Sequence, residues 1–464
     1  MTKNAHTARE LTLALACLGF FMVLLDATVV NVALPAVGRS LGGDTSDLQW
    51  IVDAYTLVLA ALLLTAGVLG DRIGARRVFA AGLLVFALAS GLCAIAPGLE
   101  ALLAARVLQG IGAALTVPSS LSLISHAFPE ARERARALGL WVACGGVAVA
   151  GGPPLGGLLV DGLGWRSVFL VNLPIGVAGC IVAARWIPSS PRTARRGVDL
   201  PGQVLAVATL FALTLGVIEA GARGWDAPLV WGSLLGAAVG GAAFLLVERR
   251  VADPMVPPDI LAAPGMLAAT AIGVLVNLSF YGEVFVLSLY FEDVRGDSAL
   301  LTGVALLPLT AAIPLVAAAS GRVTARRGAV LPLAVGLAVG VVGFLGLVAV
   351  GADTPYWLLL PGFLTTSLAS MVPAPLTAIA VTAVPVHQSG LASGILNAGR
   401  QTGGAIGVAV FGSLVGGAHS FVDGMRLSLL VAAAALAVGF LITLVALRER
   451  RSRAWAQAPR PEGA

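Results

Sequence analysis

Apolar runs of about twenty residues, the length that crosses a bilayer, follow one another along almost the whole chain. The loops between them are short and hold Gly, Pro and charged residues. The runs lie at about 11–35, 48–70, 78–97, 100–123, 137–160, 166–187, 200–220, 228–247, 264–290, 299–319, 330–350, 355–378, 391–416 and 424–447. This predicts an all-α membrane protein of fourteen transmembrane helices. With 464 residues divided so, about 33 fall to each span and its loop, leaving no room for a folded soluble domain. Lys3 and Arg9 precede the first run as in a secretory signal, but that run continues to Pro35, too long for the apolar core of a cleaved leader.

Several chemistries are excluded at this stage. Lys3 is the only lysine, so the Gly-rich phosphate loop that ends in Gly-Lys cannot exist, and ATP on this chain drives nothing. Cys17, Cys93, Cys144 and Cys180 stand singly in apolar runs, and His6, His126, His387 and His419 never fall at metal-ligand spacing. No metal and no cofactor are expected. Gly38-Arg39-Ser40-Leu41-Gly42 spells a nucleophile elbow but has no strand before it. Asn277-Leu278-Ser279 spells a glycosylation site but lies mid-span. An enzyme would need a nucleophile with a base, or a metal cluster, and neither is visible.

Basic residues set the orientation. With the N-terminus placed inside, twenty-two of the 29 Lys and Arg fall on the cytoplasmic side, five fall outside or at the outer edge, and Arg106 and Arg400 lie within spans. This asymmetry predicts an even number of spans with both termini cytoplasmic. The net charge of +5 then reports orientation and contact with anionic lipid headgroups, not nucleic-acid binding.

Two stretches recur at an offset of about 250 residues. Asp71-Arg72-Ile73-Gly74-Ala75-Arg76-Arg77 after the second span matches Gly321-Arg322-Val323-Thr324-Ala325-Arg326-Arg327 after the tenth. The Gly-rich fifth span, 151–157, matches the thirteenth around Gly403, Gly404 and Gly407. Two six-helix bundles with two extra helices between them give this register, with boundaries at 1–187, 188–263 and 264–464. In such parallel halves a binding site lies between them near the midplane.

The same residues resemble the major facilitator superfamily, and within it the fourteen-span drug:proton antiporters. Gly67 through Arg77 resembles the superfamily's loop signature. Leu25-Asp26-Ala27-Thr28-Val29-Val30-Asn31 through Pro35 and Gln49-Trp50-Ile51-Val52-Asp53-Ala54-Tyr55 are similar to first- and second-span motifs of that branch. Arg106-Val107-Leu108-Gln109-Gly110, the stretch from Trp165 to Gly176, and Asn397 through Gly404 complete the pattern. The short outer loop at 417–423 is similar to that of actinomycete antibiotic-resistance exporters of the methylenomycin-resistance type. The departure is Gly321, which stands where a second Asp71 is expected.

An ionisable side chain within a span costs about 2.5 to 3.5 kcal/mol on insertion scales, so it marks a functional position. Asp26, Asp53, Arg106 and Glu283 are such residues, and all four fall in the outer half of the membrane, where one cavity is expected to hold them. They are the candidates for proton coupling, with a structural ion pair as the rival reading. Asn31, Tyr55, Gln109, Asn277, Phe280, Tyr281, Asn397 and Arg400 are candidates to line an amphipathic substrate pocket. Gly67, Gly70, Asp71, Arg72, Gly74, Arg76 and Arg77 are expected to form a cytoplasmic charge clamp. Gly152, Pro153, Gly156 and Gly157 are expected to bend and pack the fifth span, which the resemblance reads as an antiporter signature. The function implied is proton-coupled export of hydrophobic or amphipathic small molecules, drugs or antibiotics, across the bacterial plasma membrane by alternating access. Its partners are protons, a small-molecule substrate and membrane lipid, and a monomer suffices. An uptake carrier for a small metabolite, and a membrane-embedded sensor or enzyme, are the rivals.

Overall fold

The helices stop where the chain supplies a local cause. Asp44 and Asp47 cap each other's backbone N–H at 3.0 Å and start the second helix, which satisfies two donors that a helix end leaves open. Gly74, at φ 101°, then turns the chain directly into the third helix, a conformation only glycine adopts cheaply. Asp199 and Ser298 each cap a later helix with a single bond, to Gly202 N and Leu301 N.

The computed structural model describes residues 2–188, 197, 199–384 and 388–456. Arg192, Arg195, Arg196, His387 and Arg460 lie outside the described residues, as do the side chains of Lys3, His6, Arg132, Arg448, Arg450, Arg451 and Arg453. The helices are α1 (Thr2–Leu41), α2 (Thr45–Ile73), α3 (Ala75–Ala94), α4 (Leu99–Ala127), α5 (Ala131–Leu163), α6 (Ser167–Trp186), α7 (Leu200–Arg223) and α8 (Pro228–Glu248). After a helical turn at Pro258–Leu261 come α9 (Met266–Val294), α10 (299–327), α11 (Val330–Leu347), α12 (Tyr356–Thr382), α13 (Ser389–Gly416) and α14 (Phe421–Ala456). Fourteen passes return the chain to the face from which it started, called here the terminal face; the opposite one is the far face.

Thirteen of these helices are long and apolar enough to cross a membrane. The other is α13, where Asn397, Arg400, Gln401 and eight glycines dilute the apolar residues. Its burial explains the composition: Gly403 meets the carbonyl of Val274 and Gly407 that of Leu278 on α9, so a side chain at either position would collide with backbone. In the N-terminal half Gly152 and Gly156 of α5 press on Thr28 and Val29 of α1 in the same way. The 250-residue repeat is therefore matched in packing, with α5 on α1 as α13 is on α9.

Two expected spans are not continuous. α10 is three pieces, Ala299–Ala305, Leu307–Ala311 and Ile313–Arg327, because Pro308 and Pro314 each remove a backbone donor. α12 tightens at Leu368–Met371, just ahead of Pro373. The last turn of α9, Tyr290–Val294, is wide, a distortion frequent at functional positions.

The two extra helices, α7 and α8, pack on each other. α7 also lies along the seam where α2 meets α13: Gln203 donates to Ala61 O at 3.0 Å, and Gly221 packs on Ser413. Most of both helices faces outward, away from the rest of the protein.

Candidate functional site

A charged pair inside a span survives only when its donors and acceptors are all used. Asp26 of α1 and Arg106 of α4 are each 1% exposed, and their side chains meet at 2.5 Å from Nη1 to Oδ2. Asp26 Oδ1 accepts from Gln109 Nε2 at 2.7 Å and from Asn172 Nδ2 at 3.0 Å. Every contact on the carboxylate is thus a donor, the environment that suits an ionised acid. Arg106 Nη1 also donates to Gln109 Oε1 at 2.7 Å and its Nε to Ile51 O at 3.0 Å, and the guanidinium lies over the Tyr55 ring, 4.3 Å from its centroid. Gln109 Nε2 also donates to Ser90 Oγ at 2.8 Å, and Tyr55 OH donates to Val23 O at 3.1 Å. Five helices of the N-terminal half therefore converge on one ion pair.

Asp53 is on α2 but is not part of this network. It lies one helical turn from Gln49, which donates to Ala409 O of α13 at 2.6 Å, so it shares the face of α2 that meets the other half. Asp53 Oδ1 accepts only from Thr56 Oγ1, at 3.3 Å, and Oδ2 has no partner. Glu283 is buried in the C-terminal half, where Thr366 Oγ1 of α12 donates to its Oε1 at 3.0 Å. The four expected coupling residues thus form one pair and two single acids, not one cluster.

Among the expected pocket residues, Tyr55 and Gln109 belong to the Asp26 network. Asn31 is buried; its amide N–H bonds Ala27 O at 2.8 Å and its Oδ1 is free. Across the seam, Arg400 Nε donates to Asn277 Oδ1 at 3.3 Å. Tyr281 packs against Gly404 and stacks edge-on with Phe280 at 5.3 Å. Asn397 is half-buried on α13.

The far face is where the halves are tied. Arg39 reaches Glu292 at 3.2 Å and Asp293 at 3.9 Å, and Asp161 accepts from Leu300 N at 3.0 Å. Below this, Gly157 meets the backbone of Ala299 and Leu300, and Gly303 meets that of Pro153. Pro154 has no N–H for the carbonyl of Ala150, and that carbonyl accepts from Thr310 Oγ1 of the other half at 3.2 Å. The proline pair thereby turns an internal helix bond into a contact between halves. Residues 146, 150, 153 and 157 make one stripe on α5, and Pro314, Thr310, Gly303 and Ala299 run along it.

On the terminal face the loop of basic residues is open. Asp71 and Arg72 are exposed, and Arg76 Nη1 bonds Ile187 O at 2.9 Å. Among the described residues, no ion pair joins Asp71 to Arg72, Arg76 or Arg77. Gly67 and Gly70 pack toward Pro118 and Ser119 of α4.

Sequence reasoning missed Arg39, Glu292, Asp161, Thr310, Asn172 and Ser90. Arg39 and Glu292 were hidden because each reads as an ordinary charge at a span end. Asn172 did carry a signal, lying in the Asn-Leu-Pro-Ile-Gly stretch that was already noted.

Comparison with known proteins matches this architecture to a family. The Major Facilitator Superfamily profile covers residues 16–408. The chain belongs to that superfamily. It is 38% identical over 437 residues to the methylenomycin A resistance protein of Streptomyces coelicolor, covering 94% of this chain and 92% of that one. It is 38% identical over 405 residues to the multidrug resistance protein Stp of Mycobacterium tuberculosis, covering 87% and 75%. Among solved structures, a POT family transporter in complex with a thioalcohol-conjugated peptide aligns with TM-score 0.70 at 13% identity, over 96% of each chain. The human organic anion transporter MFSD10 aligns with TM-score 0.64 at 18% identity, over 94% of this chain and 99% of that one. As a superfamily member with this series of spans, the protein is a multi-pass inner-membrane protein.

Proposed function

We propose that the protein is a proton-coupled antiporter that exports hydrophobic or amphipathic small molecules, antibiotics among them, across the bacterial plasma membrane. The observation that carries this reading is the near full-length similarity to a methylenomycin A resistance protein, with a multidrug resistance protein of comparable identity beside it. Both termini are cytoplasmic in this reading, so the far face is the outer one, closed in this state by Arg39–Glu292 and the α5–α10 stripe. The bundles are residues 1–187 and 264–464, with 188–263 as the linker that holds the extra helices. A monomer has all the parts the cycle needs.

The protons travel on buried acids. A carboxylate stripped of water and without a cation is costly, and a bound proton removes that cost. Asp53 and Glu283 meet this description, while Asp26 alternates between Arg106 and a proton as the halves rock. One charge crossing the membrane potential supplies about 2.3 kcal/mol per 100 mV. Substrate is held between Tyr55, Tyr281, Phe280, Asn31, Asn277, Asn397 and Arg400. Asp71 with Arg72, Arg76 and Arg77 closes the cytoplasmic side in the opposite state.

Purified protein in proteoliposomes with an imposed pH gradient tests this. Uphill movement of an amphipathic antibiotic against the proton flow, with proton release on drug addition, is the expected result. Movement of drug and proton in the same direction would make the protein an uptake carrier.

A further inference from the structure

At the terminal-face ends of the extra helices, two acids that the transport reading does not use converge on Gly202. Asp199 caps α7 and is 6% exposed; Glu248 ends α8 and is 3% exposed. Asp199 Oδ1 accepts from Gly202 N at 2.8 Å, and Glu248 Oε2 accepts from Val256 N at 2.9 Å. The remaining oxygens, Asp199 Oδ2 and Glu248 Oε1, are both buried and have no donor. Both crowd the same side of Gly202, where a Cβ would lie 2.8 Å from Glu248 Oε1 and closer still to Asp199 Oδ2. Two buried carboxylates that share one site with no donor for their free oxygens do not both stay ionised, and the usual solution is one proton between them.

We propose that Asp199 and Glu248 form a proton-binding site that fastens the extra helices to the seam between the halves. The shared proton makes a carboxyl–carboxylate hydrogen bond, Glu248 holds the 249–256 turn through Val256 N, and Asp199 holds the first turn of α7. That turn carries Gln203, which is bonded to Thr65 and to Ala61 O of α2. Met255, on the same connection as Val256, also contacts Thr65. A crevice of about 20 Å³, room for about one water, opens here between Asp199, Asp253, Thr65 and Leu391 of α13. Loss of the proton leaves two buried negative charges side by side, and their repulsion parts α7 from α8 at this end.

Among the described residues, no ion pair neutralises the two acids. α2 brings Thr65 and α13 brings Leu391, both uncharged. Asp253, across the crevice, adds negative charge while accepting from Gly197 N at 2.8 Å. Arg249 and Arg250 follow Glu248 in the chain but are exposed. Asp259 on the turn beyond is exposed as well.

Infrared difference spectroscopy of the full-length protein in lipid, titrated from acid to alkali, tests the site without any transport assay. The expected spectrum has a protonated-carboxyl stretch that disappears at alkaline pH, and that component is absent from both Glu248→Gln and Asp199→Asn. In the same samples, spin labels at Ala252 and Ile73 separate on alkalinisation in the wild type and stay together in Glu248→Gln, whose amide donates to Asp199 permanently. A carboxyl signal unchanged in both variants overturns the shared proton. A label distance that is independent of pH, or that moves equally in Glu248→Gln, overturns the latch.

Discussion

Asp26 and Asn277 stand at nearly matching levels of the two halves, one on α1 and the other on α9, and their surroundings have diverged. In the N-terminal half the acid and its base are in contact, and three further donors and acceptors from neighbouring helices complete the network. In the C-terminal half an amide occupies the equivalent level, its base Arg400 comes from α13, and the acid nearest that level, Glu283, is bonded by a threonine on α12. Backbone packing has been kept through the repeat, with Gly152 and Gly156 answered by Gly403 and Gly407. Charge has not. A packed glycine interface leaves no choice of residue, whereas a polar site can be rebuilt one side chain at a time, so the halves share a shape and divide the chemistry.

The largest effect is expected where the N-terminal half has most to lose. Asp26→Asn leaves Arg106 as an uncompensated buried charge, which costs about 3–5 kcal/mol. Thermal unfolding in detergent should drop accordingly, and pH-gradient-driven export should vanish. Asp26→Asn combined with Arg106→Gln should recover much of the stability and none of the export. If the double variant exports like the wild type, the pair is structural only, and the contrast between halves is one of packing.

Glu283→Gln sharpens the other side of the comparison. Thr366 can donate to the amide oxygen as it does to the carboxylate, so stability should change little. Transport driven by a pH gradient should fall to background, while drug exchange at equal concentrations continues. Loss of exchange together with coupling would make Glu283 a packing residue.

Those two expectations rest on residues visible in the sequence, and the division between visible and hidden is physical. Thirteen of the spans were legible because crossing a bilayer demands a length and a composition that little else in the chain shares, and α13 was legible by its length and its match to the fifth span in the repeat. Asp26 and Arg106 were legible as costly charges, but opposite sign alone does not choose Asp26 over Asp53 or Glu283 as the partner of Arg106. The split of the other two acids was not, since depth along a helix says nothing about which face a side chain takes when the partner helix is unknown. The breaks in α10 were foreshadowed by Pro308 and Pro314. The use made of Pro154 was not, because the carbonyl it frees is taken by Thr310, 160 residues away.

The seam gives the third prediction, and a smaller one. Thr310→Val keeps the volume and loses the bond to Ala150 O, worth about 1 kcal/mol, or about fivefold in a two-state population. Arg39→Ala removes an ion pair whose arginine is 63% exposed, so its share is about 0–1 kcal/mol. Both favour opening of the far face, read as a longer distance between spin labels at Ser40 and His419. A shorter distance in either variant would mean that these contacts belong to the open state.

The smallest effect should come from the middles of the extra helices, which sit outside the comparison because neither half contains them. A helix that lines a wet cavity carries a polar stripe, but α7 and α8 present mainly Leu, Val, Ala and Gly, and their exposed residues include Phe211 and Val239 near the midpoints. Glu219, at the far end of α7, is already paired with Arg223 one turn on. Conservative changes, Glu219→Gln among them, should therefore stay within about 0.5 kcal/mol in stability and leave both substrate range and coupling unchanged. Cysteines at 211 and 239 should resist a water-soluble thiol reagent, since lipid covers them. Reaction there, with protection by substrate, would put the extra helices in the transport path, and the contrast that matters would become one among three units.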